Sequence, residues 1–377
     1  MKTIIIGGGI AGLTTAIALE QKGFDTQVYE AQPELSVAGA GIWMATNAMQ
    51  VFERLGLAAD IKRRGTPLDK IEIADYKLNT IQSTSQLLFV EQYGFSVTSI
   101  LRSRLRDTLV EHYGKPIHTG KCLDQVLDNG QSVQAFFKDG TQVTGDILVG
   151  ADGIHSATRK QIVPKSQIRY SGQTCWRGIA DIALSAPYER ACVETWGKKF
   201  RFGLSVISDE EVYWFAVAKA PRGGKDDRSI LKGQLQKMYA DFGDPIPAIL
   251  AATPEDRIIR NDITDLQSIG DWYKGRVCLI GDAAHATTPN MGQGGGQAVE
   301  DAWFLSRILA EEKDYRLAFK RFQEKRQKKV AQVVKTSWQI GKVAHMSFGQ
   351  GLRNFLLRNT PKAIAEKRML DLYSIDY

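Results

Sequence analysis

The chain has 377 residues, of which 43% are hydrophobic and 24% are charged. This composition is typical of a soluble globular protein, and the length predicts two domains or one domain with large insertions. The net charge of +7 is spread along the chain. Its densest basic run, residues 320–329, is typical of a solvated helix face rather than a nucleic-acid patch. We therefore expect no nucleic-acid partner.

Cysteine spacing and hydropathy narrow the possible classes of protein further. The four cysteines form no CxxC pair and stand at no metal-ligand spacing from a histidine, so we predict no metal site. We interpret them as reduced thiols of a cytoplasmic protein, with one disulfide as the alternative. Because no stretch is long and apolar enough to span a bilayer, we expect no stable membrane association.

The first thirty residues follow the order strand, glycine turn, helix, strand and acid. The β-branched run Thr3–Ile6 predicts a buried parallel strand. Gly7, Gly9 and Gly12 then form G-x-G-x-x-G, in which they permit a tight turn, a pyrophosphate approach and close helix packing, respectively. Glu30, at the end of the second strand, suits ribose hydroxyls. The segment predicts a dinucleotide site, with a glycine-rich turn lacking a ligand as the alternative.

This segment alone does not separate FAD from NAD. The carboxylate of Glu30 would repel a 2′-phosphate, which argues against NADP at this particular site. The glycines also interrupt the apolar N-terminal stretch, so we do not expect a secretory signal peptide.

Two later motifs follow predicted strands. Asp152-Gly153 comes after a strand predicted at residues 143–149. Gly281-Asp282 comes after a strand predicted at residues 277–280, and Pro289 follows it. A glycine run before a helix predicted at residues 299–309 would let backbone amides approach a planar ring, and it includes Gly292, Gly294 and Gly295.

In this order, the three motifs resemble those of the class A flavoprotein monooxygenases, the single-component aromatic hydroxylases. The resemblance implies an α/β fold: a Rossmann-like FAD-binding domain, an inserted and mainly antiparallel β-sheet substrate domain, and C-terminal helices. It implies that Asp282 binds the flavin ribityl chain, and that Asp152 and Gly153 lie near the pyrophosphate and the path of NADPH. Arg102 matches an arginine that holds the extended FAD. For Asp282 the alternative is a helix N-cap, and for Asp152-Gly153 a simple turn.

The predicted domain division is discontinuous. The FAD-binding domain takes residues 1–70, 100–170 and 271–340, and the substrate domain takes residues 71–99 and 171–270. Residues 341–377 form a helical tail that we expect to cap the active site or an interface.

Residues 171–178 resemble a segment shared by FAD-dependent urate hydroxylases and zeaxanthin epoxidases. That resemblance implies substrate-site roles for Arg201 and Tyr213. An arginine fork suits an anionic ring, whereas a solvent-facing strand residue is the alternative for Arg201. For His285 we favour a packed or capping role over a catalytic one.

The resemblance implies an enzyme that uses NADPH or NADH as a transient co-substrate to reduce FAD. Oxygen then reacts at the flavin C4a carbon, and the C4a-hydroperoxide hydroxylates a small aromatic or heteroaromatic substrate. Three alternatives remain at this point: a tetracycline-inactivating monooxygenase, an oxygen-independent reductase of the prenyl-chain-reductase type, and a non-catalytic FAD-binding protein. We expect a monomer or a homodimer.

Overall fold

The computed structural model describes residues 1–35, 40–346 and 348–376. Strands β1 to β19 are Lys2–Ile6, Asp25–Tyr29, Gly41–Met44, Thr66–Pro67, Lys70–Asp75, Thr80–Ser85, Thr98–Leu101, Ile117–His118, Leu123–Asp128, Val133–Phe137, Gln142–Gly145, Ile147–Gly150, Ile168–Asp181, Ala191–Trp196, Phe200–Ser208, Glu211–Lys219, Ile259–Leu266, Tyr273–Lys274 and Val277–Leu279. Helices α1 to α13 are Ile10–Glu20, Thr46–Arg54, Ala58–Arg64, Leu87–Tyr93, Arg102–Tyr113, Ala157–Ile162, Arg228–Met238, Ile246–Ala251, Asp282–His285, Gly294–Glu311, Tyr315–Ala344, Gln350–Arg358 and Lys362–Tyr373. Short 3-10 helices lie at Glu255–Arg257 and Pro289–Met291.

A six-stranded sheet holds the N-terminal motif. Its strand order is β18-β19-β12-β1-β2-β8, and all neighbouring pairs are parallel except β18 with β19. Ile4 and Ile5 of β1 are fully buried, as expected for a parallel strand that is covered on both faces. Because β1, β12 and β19 are parallel neighbours, the loops that follow them meet at one edge of the sheet. None of the described helices has the length and apolar composition needed to cross a bilayer.

A seven-stranded, mainly antiparallel sheet forms the second layer, in the order β17-β13-β16-β15-β14-β5-β6. Alternation along its strands gives it two different faces. One face packs Phe202 and Trp214 against Leu235 of α7 and Ile249 of α8. The opposite face carries Arg201 of β15 together with the β16 residues that share its register. This second face meets the loops of the parallel sheet.

The predicted fold class is confirmed, and the differences from the sequence expectations are local. The single strand predicted at residues 143–149 is wrong, because the chain changes sheets at Asp146. There β11 pairs with β10 in a three-stranded sheet, whereas β12 enters the parallel sheet beside β1. A carboxylate oxygen of Asp146 accepts a hydrogen bond from the Lys2 amide at 2.6 Å, which fixes the junction. Residues 71–99, which were assigned to the β-sheet substrate domain, also contain helix α4.

The basic run at residues 320–329 lies within the long helix α11, and two further helices, α12 and α13, form the predicted helical tail. The C-terminal end of α11 docks on the seven-stranded sheet. The Gln173 side chain of β13 donates to the Gly341 carbonyl at 3.0 Å. His345, only 2% exposed, places Nε2 3.4 Å from the Val217 carbonyl of β16. Burial lowers the pKa of His345 to about 3, and the neighbouring charge of Arg201 acts in the same direction.

This lowered pKa predicts a specific loss of stability in acid. The unfolded chain protonates His345 below about pH 6.5, whereas the folded protein protonates it only near pH 3. The contribution of His345 to the unfolding free energy is therefore complete above the pKa of the unfolded chain, and it is lost as the pH falls from 6.5 towards 3. Between pH 7.5 and pH 5, His345→Gln should lose about 2 kcal/mol less unfolding free energy than the wild type. Denaturant unfolding at both pH values measures this difference, and identical losses would show that His345 is not held neutral. His155→Gln, at an exposed position, is the matched control.

Candidate active site

The glycines of the N-terminal motif fit between the loops at the sheet edge. Gly7 has a φ of +110°, and a Cβ there would lie 2.4 Å from the Ala151 carbonyl oxygen of the loop after β12. A Cβ on Gly12 would lie 1.9 Å from the Gly7 carbonyl oxygen. Both positions therefore require glycine because the segments pack closely, and α1 begins directly against β1.

Gly9 has a different reason to be glycine. Its backbone is extended, with a φ of −83°, and a Cβ would meet no protein atom within 4 Å. Neither conformation nor internal packing demands glycine here, whereas the close approach of a bound phosphate would. Beside it, Glu30 accepts hydrogen bonds from the amides of Gly8 at 2.8 Å and Gln32 at 2.9 Å, which holds the acid at the end of β2.

The Asp152 carboxylate is engaged within its own loop. It accepts from the Ser156 hydroxyl at 2.5 Å and from the Thr158 amide and hydroxyl at 3.0 Å each. Asp152 therefore organises the start of α6, and Gly153, with a φ of +75°, makes the turn between them. The buried Arg159 joins this loop to the next motif, since its guanidinium donates to the Ala283 carbonyl at 3.0 Å.

A buried ionic network supports the Gly281-Asp282 loop from behind. Asp301 of α10 accepts from the Gly281 amide at 2.9 Å and lies 2.5 Å from Nε2 of His285. Arg326 of α11 pairs with Asp301 at 2.7 Å and also with Glu300. Although burial opposes ionisation, His285 and Arg326 hold the pKa of Asp301 below its usual value. His285 is thus a packed, hydrogen-bonded histidine, as the sequence analysis favoured.

Asp282 and Arg102 line a cleft between the two sheets. Both side chains are accessible to water, and the described residues offer neither one a hydrogen bond or an ion pair. Yet the surrounding protein raises the pKa of Asp282 and lowers the pKa of Arg102 by desolvation, while the charge of each group partly offsets the shift of the other. Desolvation of two charged groups that remain accessible to water is expected when they lie at the bottom of a concave site. Asp282 caps no helix, because the N-cap of α9 is Gly281 and no side chain bonds there.

The glycine run closes one side of this cleft. Pro289 begins the 3-10 turn that precedes the run, and Gly292 follows with a φ of +62°. A Cβ on Gly292 would lie 3.4 Å from the Trp43 ring, and one on Gly295 would lie 3.0 Å from Met44 Cε. A Cβ on Gly294 would be 4.0 Å from the Asp282 carboxylate. The run therefore lies between β3 and Asp282, with the start of α10 directed at the cleft.

Three aromatic side chains form the wall of the cleft on the side of the seven-stranded sheet. The Trp43 ring lies 5.7 Å from Phe215 and 6.5 Å from Tyr213, in edge-on arrangements. The Trp43 indole donates to the Ser205 hydroxyl at 2.9 Å, which fixes its orientation. Burial raises the pKa of Tyr213 to about 12, although the charge of Arg177 acts in the opposite direction. The Tyr213 phenol is therefore neutral at physiological pH and retains its proton.

Arg201 is buried, so the alternative of a solvent-facing strand residue is wrong. The side chain is 2% exposed, and its Nη2 donates to Asn290 Oδ1 at 2.7 Å. Its Nη1 lies 3.0 Å from Glu194, while Nε has no hydrogen-bond partner in the described part of the chain. Asn290 in turn donates to the Thr288 hydroxyl and the Ser337 carbonyl at 3.0 Å each. Arg201 thereby links the substrate-side sheet to the turn before the glycine run.

The arrangement suits an extended dinucleotide flavin. Glu30 and Gly9 lie at one end, Arg102 and Asp282 lie in the cleft, and the glycine run adjoins the aromatic wall. Sequence reasoning gave no role to Trp43, Asn290, Arg159 or Arg326. Asn290 follows Pro289 directly and was the easiest of these to find, whereas Trp43 lies outside every motif. The described residues contain no group of three or more His, Cys, Asp and Glu side chains able to hold a metal.

The free space at Gly9 predicts that flavin binding and folding can be separated there. Gly9→Val should fold, because the protein leaves room for the side chain, but should lose FAD because the side chain enters the pyrophosphate site. Flavin absorbance after gel filtration should fall at least tenfold, with near-native circular dichroism. Gly233→Val is the matched control, since its Cβ also meets no atom within 4 Å and lies on α7. A folded Gly9→Val protein with a full flavin content would disprove the site.

Comparison with known proteins identifies the family. A profile described as "FAD binding domain" matches residues 1–337. The chain is 36% identical to aurachin C monooxygenase/isomerase of Stigmatella aurantiaca over 361 residues, covering 95% of this chain and 94% of the relative. It is 32% identical to 2-heptyl-3-hydroxy-4(1H)-quinolone synthase of Pseudomonas aeruginosa, covering 96% of this chain and 95% of that one.

Solved structures agree with this assignment. The fold matches Klebsiella pneumoniae HpxO complexed with FAD and uric acid with a TM-score of 0.93 and 28% identity, covering 99% of this chain and 96% of that chain. Tetracycline destructase Tet(51) matches with a TM-score of 0.75 at 21% identity, over 100% and 98% of the two chains, which shows a common fold alone. The chain therefore belongs to the FAD-binding-domain family, with FAD as its cofactor and monooxygenation as its class of reaction.

Proposed function

We propose that this enzyme uses NADPH or NADH and O2 to hydroxylate a flat nitrogen heteroaromatic compound. The observation that carries the proposal is the aromatic wall of Trp43, Tyr213 and Phe215, which adjoins the glycine run where Trp43 approaches Gly292. Aromatic walls favour flat rings by offset or edge-on contact. The names of two relatives point the same way, since one is a quinolone synthase and the other was solved with uric acid.

Bound FAD would supply hydride acceptance and oxygen activation, and the chain would supply position and electrostatics. Gly7, Gly9, Gly12 and Glu30 would hold the adenosine and pyrophosphate half. Asp152 and Gly153 would shape the neighbouring loop beside the path of the nicotinamide co-substrate.

The flavin half would be held in the cleft. Arg102 and Asp282, to which the described residues offer no hydrogen bond or ion pair, would bind the extended ribityl chain and phosphates. The segment from Gly281 to the 3-10 turn at Pro289 would present the amides of Gly292, Gly294 and Gly295 to the ring. Partial positive charge at the start of α10 would stabilise negative charge on a reduced ring.

Tyr213 and Arg201 would act on the substrate side. The neutral Tyr213 phenol can donate a hydrogen bond to a ring acceptor. Arg201 would provide positive charge behind Asn290 and would hold that residue at the polar end of the pocket. In this structure the guanidinium is covered, so its effect on the substrate would be electrostatic and positional.

Turnover assays test the function directly. The purified protein should be yellow, and a set of quinolones, purines and pyridines should be screened for faster NAD(P)H oxidation. With the correct compound, O2 should be consumed in step and the product should gain one oxygen atom. Substrate reduction without O2 would support a reductase instead, and flavin binding with no stimulation by any compound would support a non-catalytic protein.

The proposed role of Arg201 predicts a change in substrate affinity rather than in flavin content. Arg201→Gln removes the charge but keeps a donor for Asn290, so FAD should be retained. The substrate KM should rise about tenfold, because the positive charge behind Asn290 is lost and Asn290 is held less firmly without its charge-assisted hydrogen bond, worth ~1.5–3 kcal/mol. Arg104→Gln, which breaks a 2.7 Å surface pair with Glu211, should leave KM unchanged. An unaltered KM in Arg201→Gln would remove Arg201 from the substrate site.

A further inference from the structure

Helix α12 carries its apolar side chains on the outside. Four large hydrophobic residues are exposed on α12 and just before it: Phe348 (85%), Leu352 (65%), Phe355 (61%) and Leu356 (58%). On a helix, residues three and four apart share one face, so Leu352, Phe355 and Leu356 form a single stripe. We call these four residues the α12 patch. Contiguous exposed apolar residues of this size mark interaction surfaces rather than random surface composition.

The buried residue of α12 is an arginine, which reverses the usual pattern of a surface helix. Arg353 is only 5% exposed. Its guanidinium donates to the Ala344 carbonyl at 3.0 Å and lies 5.1 Å from the centre of the Trp196 ring. A cation–π contact and buried hydrogen bonds therefore fix the helix orientation. The outward direction of the α12 patch follows from this anchoring.

The charge around the patch selects its partner. Between residue 341 and the end of α13, the exposed charged side chains that the structure describes are four bases, Lys342, Arg358, Lys367 and Arg368, and one acid, Asp371. The other acid in this stretch, Glu366, is only partly exposed and already has an interaction partner. A second copy docked symmetrically on this face would bring like charges together. An apolar stripe flanked by cations instead matches a helix that lies in the plane of an anionic bilayer surface.

We propose that α12 docks the enzyme reversibly on anionic lipid bilayers, with the α12 patch entering the headgroup region. This peripheral contact needs no membrane-spanning segment, and it differs from the stable association that the sequence argued against. The proposal is independent of the proposed function, because it depends only on the outer face of the tail.

Vesicle co-sedimentation of the FAD-loaded full chain tests the proposal. The wild type should sediment with vesicles of phosphatidylcholine mixed with phosphatidylglycerol, and much less with phosphatidylcholine alone. Leu352→Ser/Phe355→Ser should lower the partition coefficient by roughly tenfold or more, because both side chains would lose their apolar burial. Arg358→Gln/Lys367→Gln should weaken binding to the anionic vesicles only, and added salt should do the same.

The control is Ile230→Ser/Leu317→Ser, which removes two exposed apolar side chains (51% and 50% exposed) from α7 and α11. It should bind as the wild type does, and flavin absorbance should be unchanged in every variant. Wild-type binding by Leu352→Ser/Phe355→Ser, or equal binding to neutral vesicles, would overturn the proposal. A dimer on gel filtration that Leu352→Ser/Phe355→Ser abolishes, with no vesicle binding, would overturn it in favour of self-association.

Discussion

The parallel pairing of β1, β12 and β19 is the constraint on which the site depends. Parallel neighbours end at the same sheet edge, so parallel pairing alone brings together motifs that are separated by more than a hundred residues. Gly7 packs so closely on the loop after β12 that a Cβ would collide with the Ala151 carbonyl, and Arg159 of α6 bonds to the segment after β19. The three loops are therefore joined by direct contacts.

The two faces of the seven-stranded sheet explain how the same strands serve both folding and chemistry. Phe202 and Trp214 turn towards α7 and α8 and stack at 5.5 Å, so one face is an ordinary aromatic core. Their neighbours in sequence, Arg201 and Tyr213, point the other way and face the cleft. A shift of one residue in strand register would exchange these sets, so packing of the hidden face specifies which side chains line the site.

Residues that we propose for the flavin half are easier to find in the sequence than those of the substrate half, for a physical reason. Glycine turns and strand-end acids act through backbone conformation and short-range spacing, so Gly7, Gly12 and Asp282 are recognisable locally. Two contacts of the substrate half join residues that are distant in sequence: Arg201 meets Asn290 across 89 residues, and Trp43 meets Ser205 across 162 residues. No local pattern encodes such contacts. The break at Asp146 was hidden for the same reason, since neighbouring residues of similar β propensity can enter different sheets.

We propose that one extended flavin nucleotide contacts all three loops. A crystal structure of the FAD complex would show whether it does. We expect the adenosine ribose at Glu30, the pyrophosphate against Gly9, and the flavin ring in the cleft beside Asp282 and the glycine run at residues 292–296. A flavin bound away from any one of these three loops would contradict it.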